Sequence, residues 1–243
     1  MKRIGSSSID EEMNGSAAIQ PPSASVEDYV KAIWEVAGAG VASTKEVAGR
    51  LGIAPPSVTN MFARLQEMGF VDYERYRGVS LTQAGRKEAL RLVRRHRLIE
   101  TFLLEHLGYS WDEVHQEAES LEHAVSDSFT ERLARFLGHP EHDPHGDPIP
   151  TVEGTFIKAD DSFALYEAEA GQRVWISKVG DEASVLEYLG ERGLVPGRLL
   201  KVREVRTLDG VVSVEDEDGQ SHSLGESLAA SVFVRSTSDE DGG

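Results

Sequence analysis

Histidine and carboxylate residues are concentrated in one part of this 243-residue chain. Seven of the eight histidines lie between His96 and His145. His96 and Glu100 are four residues apart, so a helix would place both side chains on one face. A second helix-spaced set, covering an arc of roughly 100°, consists of His115, Glu119, Glu122 and His123. Imidazole and carboxylate groups that converge from one side suit a divalent first-row metal ion, so the pattern predicts a metal site.

These residues do not form a recognisable catalytic motif. The metalloprotease pattern H-E-x-x-H is absent, and so is the set of Glu-x-x-His motifs that a four-helix di-iron protein needs. A G-x-S-x-G serine elbow and a phosphate-binding loop are also absent. The sequence therefore favours a metal ion that is sensed over one that reacts, and predicts that the protein is not an enzyme.

Two long helices are predicted to position the candidate ligands, from about Gln83 to His106 and from about Trp111 to Leu137. Upstream, a helix from Ser25 precedes STKEVAGRLGI and PPSVTNMFARLQEMGF, which have the caps, apolar spacing and terminal Gly or Pro of two short helices. The segment FVDYERYRGVSLT then predicts two short strands. This order of elements predicts a winged helix-turn-helix.

The second helix of such a motif lies in the DNA major groove, with its N-terminal side chains at the base edges. The candidate DNA contacts are Ser57, Thr59, Asn60 and Arg64 on that helix, and Arg75 and Arg77 on the wing.

The distribution of charge agrees with DNA binding, although the net charge of −17 does not. Residues 45–97 carry eleven Lys or Arg and five Asp or Glu, a net of +6, whereas residues 1–44 carry −3 and residues 98–243 carry −20. The basic segment coincides with the predicted helix-turn-helix and wing, as phosphate binding requires. Part of the positive charge is also compatible with one solvated helix face, formed by Arg91, Arg94, Arg95 and Arg97.

The absence of cysteine excludes disulfides and thiol chemistry, and favours a reducing compartment. No apolar segment approaches the roughly 20 residues of a membrane span, and the first 25 residues lack the apolar run of a signal peptide. We therefore expect a cytoplasmic protein that needs no membrane and no organic cofactor.

At its C-terminal end the chain changes pattern. After the connection HPEHDPHGDPIP, which is rich in Pro and His, short alternating strands with one helix predict a small β-barrel beginning near Phe163.

The sequence resembles the diphtheria toxin repressor family, and within it the three-domain manganese transport regulators. The resemblance covers residues 25–235 and is carried by VEDYVKAIWEV, PPSVTNMFARLQEMGFVDYERYRGVSLTQAGR, RRHRLIETFLLEHLG, EVHQEAESLEHAVSD, HDPHGDPIP and a barrel similar to ferrous transport protein A. It implies a homodimer, joined through the helices after the wing, that binds a pseudo-palindromic operator when loaded with Fe²⁺ or Mn²⁺. Such a protein would be a transcriptional regulator of metal-uptake or homeostasis genes, for which repression and activation both stay open at this point.

The predicted fold class is mainly α with small β parts. Its domains are a winged helix-turn-helix at residues 25–90, a helical metal-binding and dimerisation domain at 91–150, and a C-terminal small β-barrel at 151–235. Residues 1–24 and 236–243, which are small and polar, are predicted to be disordered tails.

The resemblance implies two metal sites. The primary site would consist of Asp28, Glu119, Glu122 and His123. The ancillary site would consist of His96, Glu100, His115, Asp143 and His145, closed by an acid of the barrel that is either Asp181 or Glu182.

Two departures from related sequences bear on the metal. Asp28 and Glu119 stand where the iron branch has Met and Cys ligands, so every candidate donor is oxygen or imidazole nitrogen, which favours Mn²⁺ with Fe²⁺ as the alternative ion. Lys31 stands where the two-domain manganese regulators have a further carboxylate, which argues against a closely bridged pair of metal ions.

Two other hypotheses remain open at this point. One is a metal-dependent hydrolase or oxidase with a DNA-binding appendage. The other is a winged-helix regulator that responds to an organic small molecule, with the His/Glu cluster in a structural role.

Overall fold

The N-terminal part of the protein is a winged helix-turn-helix, as predicted. The structure, a computed structural model, describes residues 23–157, 161–206 and 210–237. Its first elements are α1 (Ala24–Ala37), α2 (Thr44–Leu51), α3 (Pro55–Glu67), β1 (Val71–Glu74) and β2 (Gly78–Leu81). The apolar faces of these elements enclose one core, in which Ile33, Phe62 and Leu65 are fully buried.

Local sequence signals explain where the two short helices begin and end. Ser43 caps α2: its hydroxyl accepts from the Glu46 N–H at 3.2 Å, and the Glu46 carboxylate accepts from the Ser43 N–H at 2.7 Å. Gly52 ends α2 in a left-handed conformation with φ 65°. Pro55 and Pro56 then begin α3, where a missing backbone N–H has no cost. The N-terminus of α3 is thereby held at the protein surface.

The middle of the chain is helical, but the prediction of one continuous helix from about Trp111 to Leu137 is wrong. The elements are α4 (Gln83–Phe102), a π-helical turn (Leu103–Leu107), α5 (Val114–Leu121) and α6 (Asp127–Phe136). The chain leaves the helix at residues 122–126, and a new helix begins after Ser126, which caps α6 by accepting from the Phe129 N–H at 3.2 Å. Glu122 and His123 therefore lie in a turn, not on the face of a continuous helix.

The arginines near the end of the basic segment do not form a solvated face. Arg91, Arg94, Arg95 and Arg97 are all buried or half-buried. Arg95 contacts Asp127 at 2.8 Å, and Arg97 donates to the Pro148 carbonyl at 2.5 Å. These arginines bind acidic and carbonyl groups of the protein itself. The positive surface for DNA must therefore come from residues of the helix-turn-helix and the wing.

The C-terminal part is an antiparallel sheet with its own apolar core. Its elements are β3 (Phe163–Ala164), a 3₁₀ turn (Leu165–Glu167), β4 (Arg173–Val179), α7 (Ala183–Gly190), β5 (Leu199–Arg206), β6 (Val211–Asp216), β7 (Ser221–Gly225), α8 (Glu226–Ala230) and β8 (Val232–Ser236). The strand order is β3-β8-β4-β5-β6-β7, with β3 and β7 at the edges. No pairing joins these two edges in the described residues, so the predicted closed barrel is not observed.

The segment between α6 and the sheet is held from both sides. The Trp111 indole donates to the Pro144 carbonyl at 2.9 Å, and the His145 carbonyl accepts from the Val179 N–H of β4 at 3.0 Å. Gly146 packs directly against the Ser177 carbonyl, where a Cβ atom would have no room. These contacts hold the residues between Pro144 and Gly146 against both the helices and the sheet.

Among the described residues, no helix has the length and apolar character that a membrane crossing requires. The cytoplasmic location stays a prediction. The tails predicted at 1–24 and 236–243 fall largely on residues 1–22 and 238–243, which lie outside the described residues. Within the described part, Ala24 begins α1 and Ser236 ends β8.

Candidate metal centre and DNA-binding face

The helix-turn-helix presents one polar face of α3 to the exterior. The predicted contacts on this helix are all exposed, namely Ser57, Thr59, Asn60 and Arg64. Val58, Phe62 and Leu65 point to the core on the opposite face and fix the rotation of the helix. The face that the core leaves outside thus carries small polar groups and an arginine, which are side-chain types that hydrogen-bond bases and phosphates in protein–DNA complexes.

The wing carries an exposed tyrosine that is not among the predicted contact residues. Arg75 and Arg77 are exposed as predicted, and Arg77 contacts Glu74 at 3.1 Å. Between them, Tyr76 is 91% exposed at φ 70°, with the Arg75 guanidinium 5.0 Å from its ring centre. An exposed aromatic side chain in this uncommon backbone conformation makes Tyr76 a further candidate for contact with a ligand of the wing, and the turn sequence alone could have suggested the position.

The first ligand group joins α1 to the turn after α5. Asp28, Glu122 and His123 offer ligand atoms that all lie within 4.8 Å of one another. His123 Nε2 is 2.8 Å from Asp28 Oδ1, and His123 Nδ1 is 2.7 Å from Glu27 Oε2. Glu27 was not among the predicted residues; it is buried and orients the ring, as carboxylates commonly do for ligand histidines.

Glu119 is placed differently from the rest of the predicted primary site. It lines a cavity of about 460 Å³ together with Asp28, Glu122 and His123. Its carboxylate, however, lies outside the group of mutually close ligand atoms, and its nearest ion-pair contact is His115 Nε2 at 3.6 Å.

Lys31 connects the first ligand group to the second. Its ammonium donates to both carboxylate oxygens of Glu122, at 2.9 and 2.8 Å, and lies 3.2 Å from His96 Nδ1. His96 Nδ1 is in turn 2.6 Å from Glu122 Oε2. All three side chains are almost completely buried.

The second ligand group lies between α4 and α5. His96, Glu100 and His115 form one set of close ligand atoms, with His96 Nε2 2.8 Å and His115 Nδ1 3.0 Å from Glu100 Oε1. Glu100 also belongs to a third set with Asp143 and His145. Because the two sets share Glu100, the structure brings all five of these predicted ligands together.

The two candidate acids of the C-terminal region are not equivalent. Asp181 lines the small cavity of the second group, about 30 Å³ in volume. Glu182 does not line it; it precedes α7 and accepts a hydrogen bond from the Ser184 hydroxyl at 2.8 Å. Of these two acids, Asp181 is therefore the one that lies beside the second group.

The protonation of the first group follows from its neighbours. Burial raises the pKa of Asp28, with His123 opposing the shift. Burial acts to raise the pKa of Glu122 as well, but the hydrogen bond and charge of His96, with the charge of Lys31, outweigh it and lower that pKa. Glu122 is thus a carboxylate.

The second group contains opposite shifts. Burial opposes the charged form of His96, but the Glu100 carboxylate raises the pKa of His96 to about 9. Burial also acts against the charged form of Glu100, yet His96 and His115 lower its pKa. Burial, and then the negative charge of Glu100, raise the pKa of Asp143 well above its usual value. Strongly perturbed groups in one cluster are typical of a functional site.

A winged helix-turn-helix joined to buried histidine and carboxylate groups defines a metal-regulated DNA-binding protein. Comparisons with known families agree. The iron-dependent repressor N-terminal DNA-binding domain matches residues 22–79, the metal-binding and dimerisation domain of the same repressors matches residues 82–151, and the FeoA domain matches residues 163–236. The chain belongs to the iron-dependent repressor family.

Individual relatives cover from about half to most of the chain. The iron-dependent repressor IdeR of Mycobacterium bovis is 30% identical over 221 residues, covering 86% of this chain and 95% of its own. The transcriptional regulator MntR of Lysinibacillus sphaericus is 36% identical over 124 residues, covering 51% and 88%. A solved manganese-dependent transcriptional repressor in complex with manganese is 38% identical, with a TM-score of 0.81, covering 87% and 100%. All three are transcriptional regulators, which confirms the prediction of a regulator and not an enzyme.

Proposed function

We propose that the protein is a Mn²⁺-responsive transcriptional repressor of metal-uptake or homeostasis genes, which binds a pseudo-palindromic operator as a homodimer. The observation that carries the proposal is the contact of Asp28 with His123 at 2.8 Å. Asp28 lies on α1, which leads into the helix-turn-helix, whereas His123 lies in the helical region after the wing. A ligand held by both residues connects the DNA-binding elements to the helices that we propose form the dimer.

The side chains of the site suit this ion. The first group offers carboxylate oxygen and imidazole nitrogen, and we assign it as the primary site, with Glu119 as a further ligand from the same cavity. Hard oxygen-rich sites suit Mn²⁺, whereas thiolate and thioether donors suit softer ions. The solved repressor with bound manganese has the same fold at 38% identity.

We assign the second group as the ancillary site. Its ligands would be His96, Glu100, His115, Asp143, His145 and Asp181. These residues come from α4, α5, the segment after α6, and the C-terminal sheet domain. The ancillary site therefore draws on the second and third parts of the chain, as the primary site draws on the first and second.

The regulation follows from the charges at the primary site. A bound divalent ion supplies positive charge that neutralises the carboxylates of α1 and the helical region. Without it, Asp28 and Glu122 repel each other, and the repulsion is offset by His123 beside Asp28 and by His96 and Lys31 beside Glu122. Neutralised carboxylates hold α1 against the turn, so α3 keeps the spacing that two operator half-sites require. The effect is a shift in population between conformations.

The test is a DNA-binding titration with a matched pair of variants. Operator binding by the wild-type protein should increase strongly with Mn²⁺ and be reversed by EDTA. Asp28→Ala should abolish this stimulation, whereas Asp112→Ala, which removes an exposed acid near α5, should retain it. Stimulation that persists in Asp28→Ala, or binding that ignores EDTA, would contradict the proposal.

Fe²⁺ is the second candidate ion, because this chain is 30% identical to the mycobacterial iron-dependent repressor over 95% of that repressor's length. Titration of DNA binding with each metal separately, under anaerobic conditions for Fe²⁺, distinguishes the two. A lower half-saturation concentration for Fe²⁺ than for Mn²⁺ would favour iron.

A further inference from the structure

Lys31 is a buried cation between two groups of candidate metal ligands. It lies on α1, one turn after Asp28, and is only 6% exposed. Its ammonium binds both oxygens of Glu122, which belongs to the first group, and lies 3.2 Å from a ring nitrogen of His96, which belongs to the second. A positive charge thus already occupies the space that separates the two groups.

The position of Lys31 is specific among the cations of this cavity. Two basic residues line it, Lys31 and Arg50. Arg50 is directed to other partners, with its Nε 2.7 Å from Glu35 and its Nη2 3.3 Å from Asp181. Of these two, Lys31 is the one bound to a ligand of the first group, and it is the more deeply buried.

A buried ammonium and a divalent ion make conflicting demands on one carboxylate. Glu122 is 2% exposed, so water cannot screen the charges around it. A divalent ion that binds Glu122 must displace one of the hydrogen bonds from Lys31. If it does not, the ion is repelled by the Lys31 ammonium, which stays in contact with the same carboxylate. Either way, the protein with Lys31 on Glu122 is the less competent form for metal binding, and the apparent affinity falls accordingly.

We infer that Lys31 is a resident cation that competes with the divalent metal for Glu122, and so sets the metal concentration at which the repressor responds. The inference rests on the proposed function. Lys31 is a positioning residue, since it acts through Glu122. In the metal-free protein Lys31 neutralises Glu122 and keeps its carboxylate in position. In the loaded protein its positive charge lowers the affinity of the site for the metal.

The experiment measures Mn²⁺ affinity of the full-length, metal-free protein by calorimetry or by competition with a fluorescent chelator. Lys31→Gln retains a hydrogen-bond donor for Glu122 without the charge, and Lys31→Met also removes the donor. Both should bind Mn²⁺ at least about tenfold more tightly than the wild-type protein. Lys31→Arg keeps the charge and should stay within about twofold. Lys45→Gln removes an exposed lysine and should leave the affinity unchanged.

Thermal melting supplies a second measurement. Competition requires that Lys31→Gln lower the melting temperature of the metal-free protein more than that of the Mn²⁺-loaded protein, because a gain in affinity is a gain in stability of the loaded form. If Lys31 had only a structural role, Lys31→Gln would lower the melting temperatures of the metal-free and the Mn²⁺-loaded protein equally.

The outcomes separate this inference from the proposed function. Unchanged or weaker Mn²⁺ binding by Lys31→Gln would overturn the inference, and so would an equal gain in Lys45→Gln. If Lys31→Met does not fold, Lys31→Gln decides. A wild-type protein that binds no Mn²⁺ in the same titration would instead overturn the proposed function, and this inference with it.

Discussion

Arg50 of α2 donates from its Nη2 to Asp181 Oδ2 over 3.3 Å. This contact joins the helix-turn-helix to the C-terminal sheet domain, and Asp181 at the same time lines the cavity of the second ligand group. The two side chains are 33% and 52% exposed, so the pair contributes little stability, at most about 1 kcal/mol. Its importance is positional, because it holds one carboxylate of the sheet domain next to the proposed ancillary site.

The choice between Asp181 and Glu182 can be tested directly. Asp181→Asn should weaken Mn²⁺ binding at the ancillary site by about tenfold or more, because a carboxylate beside a bound ion is lost. Glu182→Gln is the matched control and should have no effect, since Glu182 accepts from Ser184 outside the cavity. Calorimetric titration of both variants measures the affinity and the number of ions bound. A larger effect in Glu182→Gln would contradict the assignment.

The stability of the metal-free protein should depend on pH through His96. Its pKa in the folded protein is raised to about 9 from 6.5, chiefly by the Glu100 carboxylate acting against burial. The charged ring therefore stabilises the folded state fully below pH 6.5, and this contribution is lost as pH rises through about 9. In the presence of EDTA, the free energy of unfolding measured with urea should fall as the pH rises through this window, by an amount approaching about 1.4 kcal/mol for each pH unit.

His96→Gln is the control for this pH dependence, because it removes the titrating group. An equal decline in that variant would show that His96 is not responsible. In the wild-type protein Mn²⁺ affinity should change in the opposite direction and increase between pH 6.5 and 9, because a ligating imidazole must lose its proton.

Gly146 should be required for docking of the sheet domain. A Cβ atom at this position would collide with the Ser177 carbonyl of β4, and the backbone has φ 91°. Gly219 has a similar φ of 78° but open space around it, so Gly219→Ala should cost only the backbone strain of about 1–3 kcal/mol. Gly146→Ala should lower the free energy of unfolding further and weaken binding at the ancillary site. Equal effects of the two substitutions would contradict this.

The DNA-binding residues should act independently of the metal. Arg64→Ala and Arg77→Ala should each weaken operator binding and reduce the slope of log affinity against log salt by about one, as the loss of a phosphate contact does. Mn²⁺ stoichiometry should not change. Arg203→Ala removes the same charge from the C-terminal sheet, where Arg203 pairs with Glu215, and should leave DNA affinity unchanged.

Much of the helix-turn-helix could be predicted from the sequence because its signals are local. The Ser43 cap, the left-handed Gly52 and the prolines that begin α3 act over three or four residues, so inspection of the chain finds them. The exposed face of α3 follows from the apolar spacing of its core residues. The types of the metal ligands were equally visible, since imidazole and carboxylate groups cluster along the chain.

The arrangement of those ligands was decided by the tertiary structure. The turn before Ser126 divides what the spacing predicted as one helix face, sending Glu122 towards Lys31 and His123 towards Asp28. Inspection of the sequence likewise could not show that Arg95 is buried against Asp127. In each pair the partners lie at least 32 residues apart in the sequence. The local sequence therefore does not determine which of several oppositely charged residues will form the ion pair.

The sequence by itself thus determined the winged helix-turn-helix, the kinds of donor atoms and the class of metal. Only the tertiary structure decided that Glu122 is shared between Lys31 and His96, that Asp181 and not Glu182 faces the second group, and that the sheet has two unpaired edges in its described strands. The physical reason is that caps and apolar periodicity act within a few residues, whereas a buried charge takes its partner from whichever distant element packs against it.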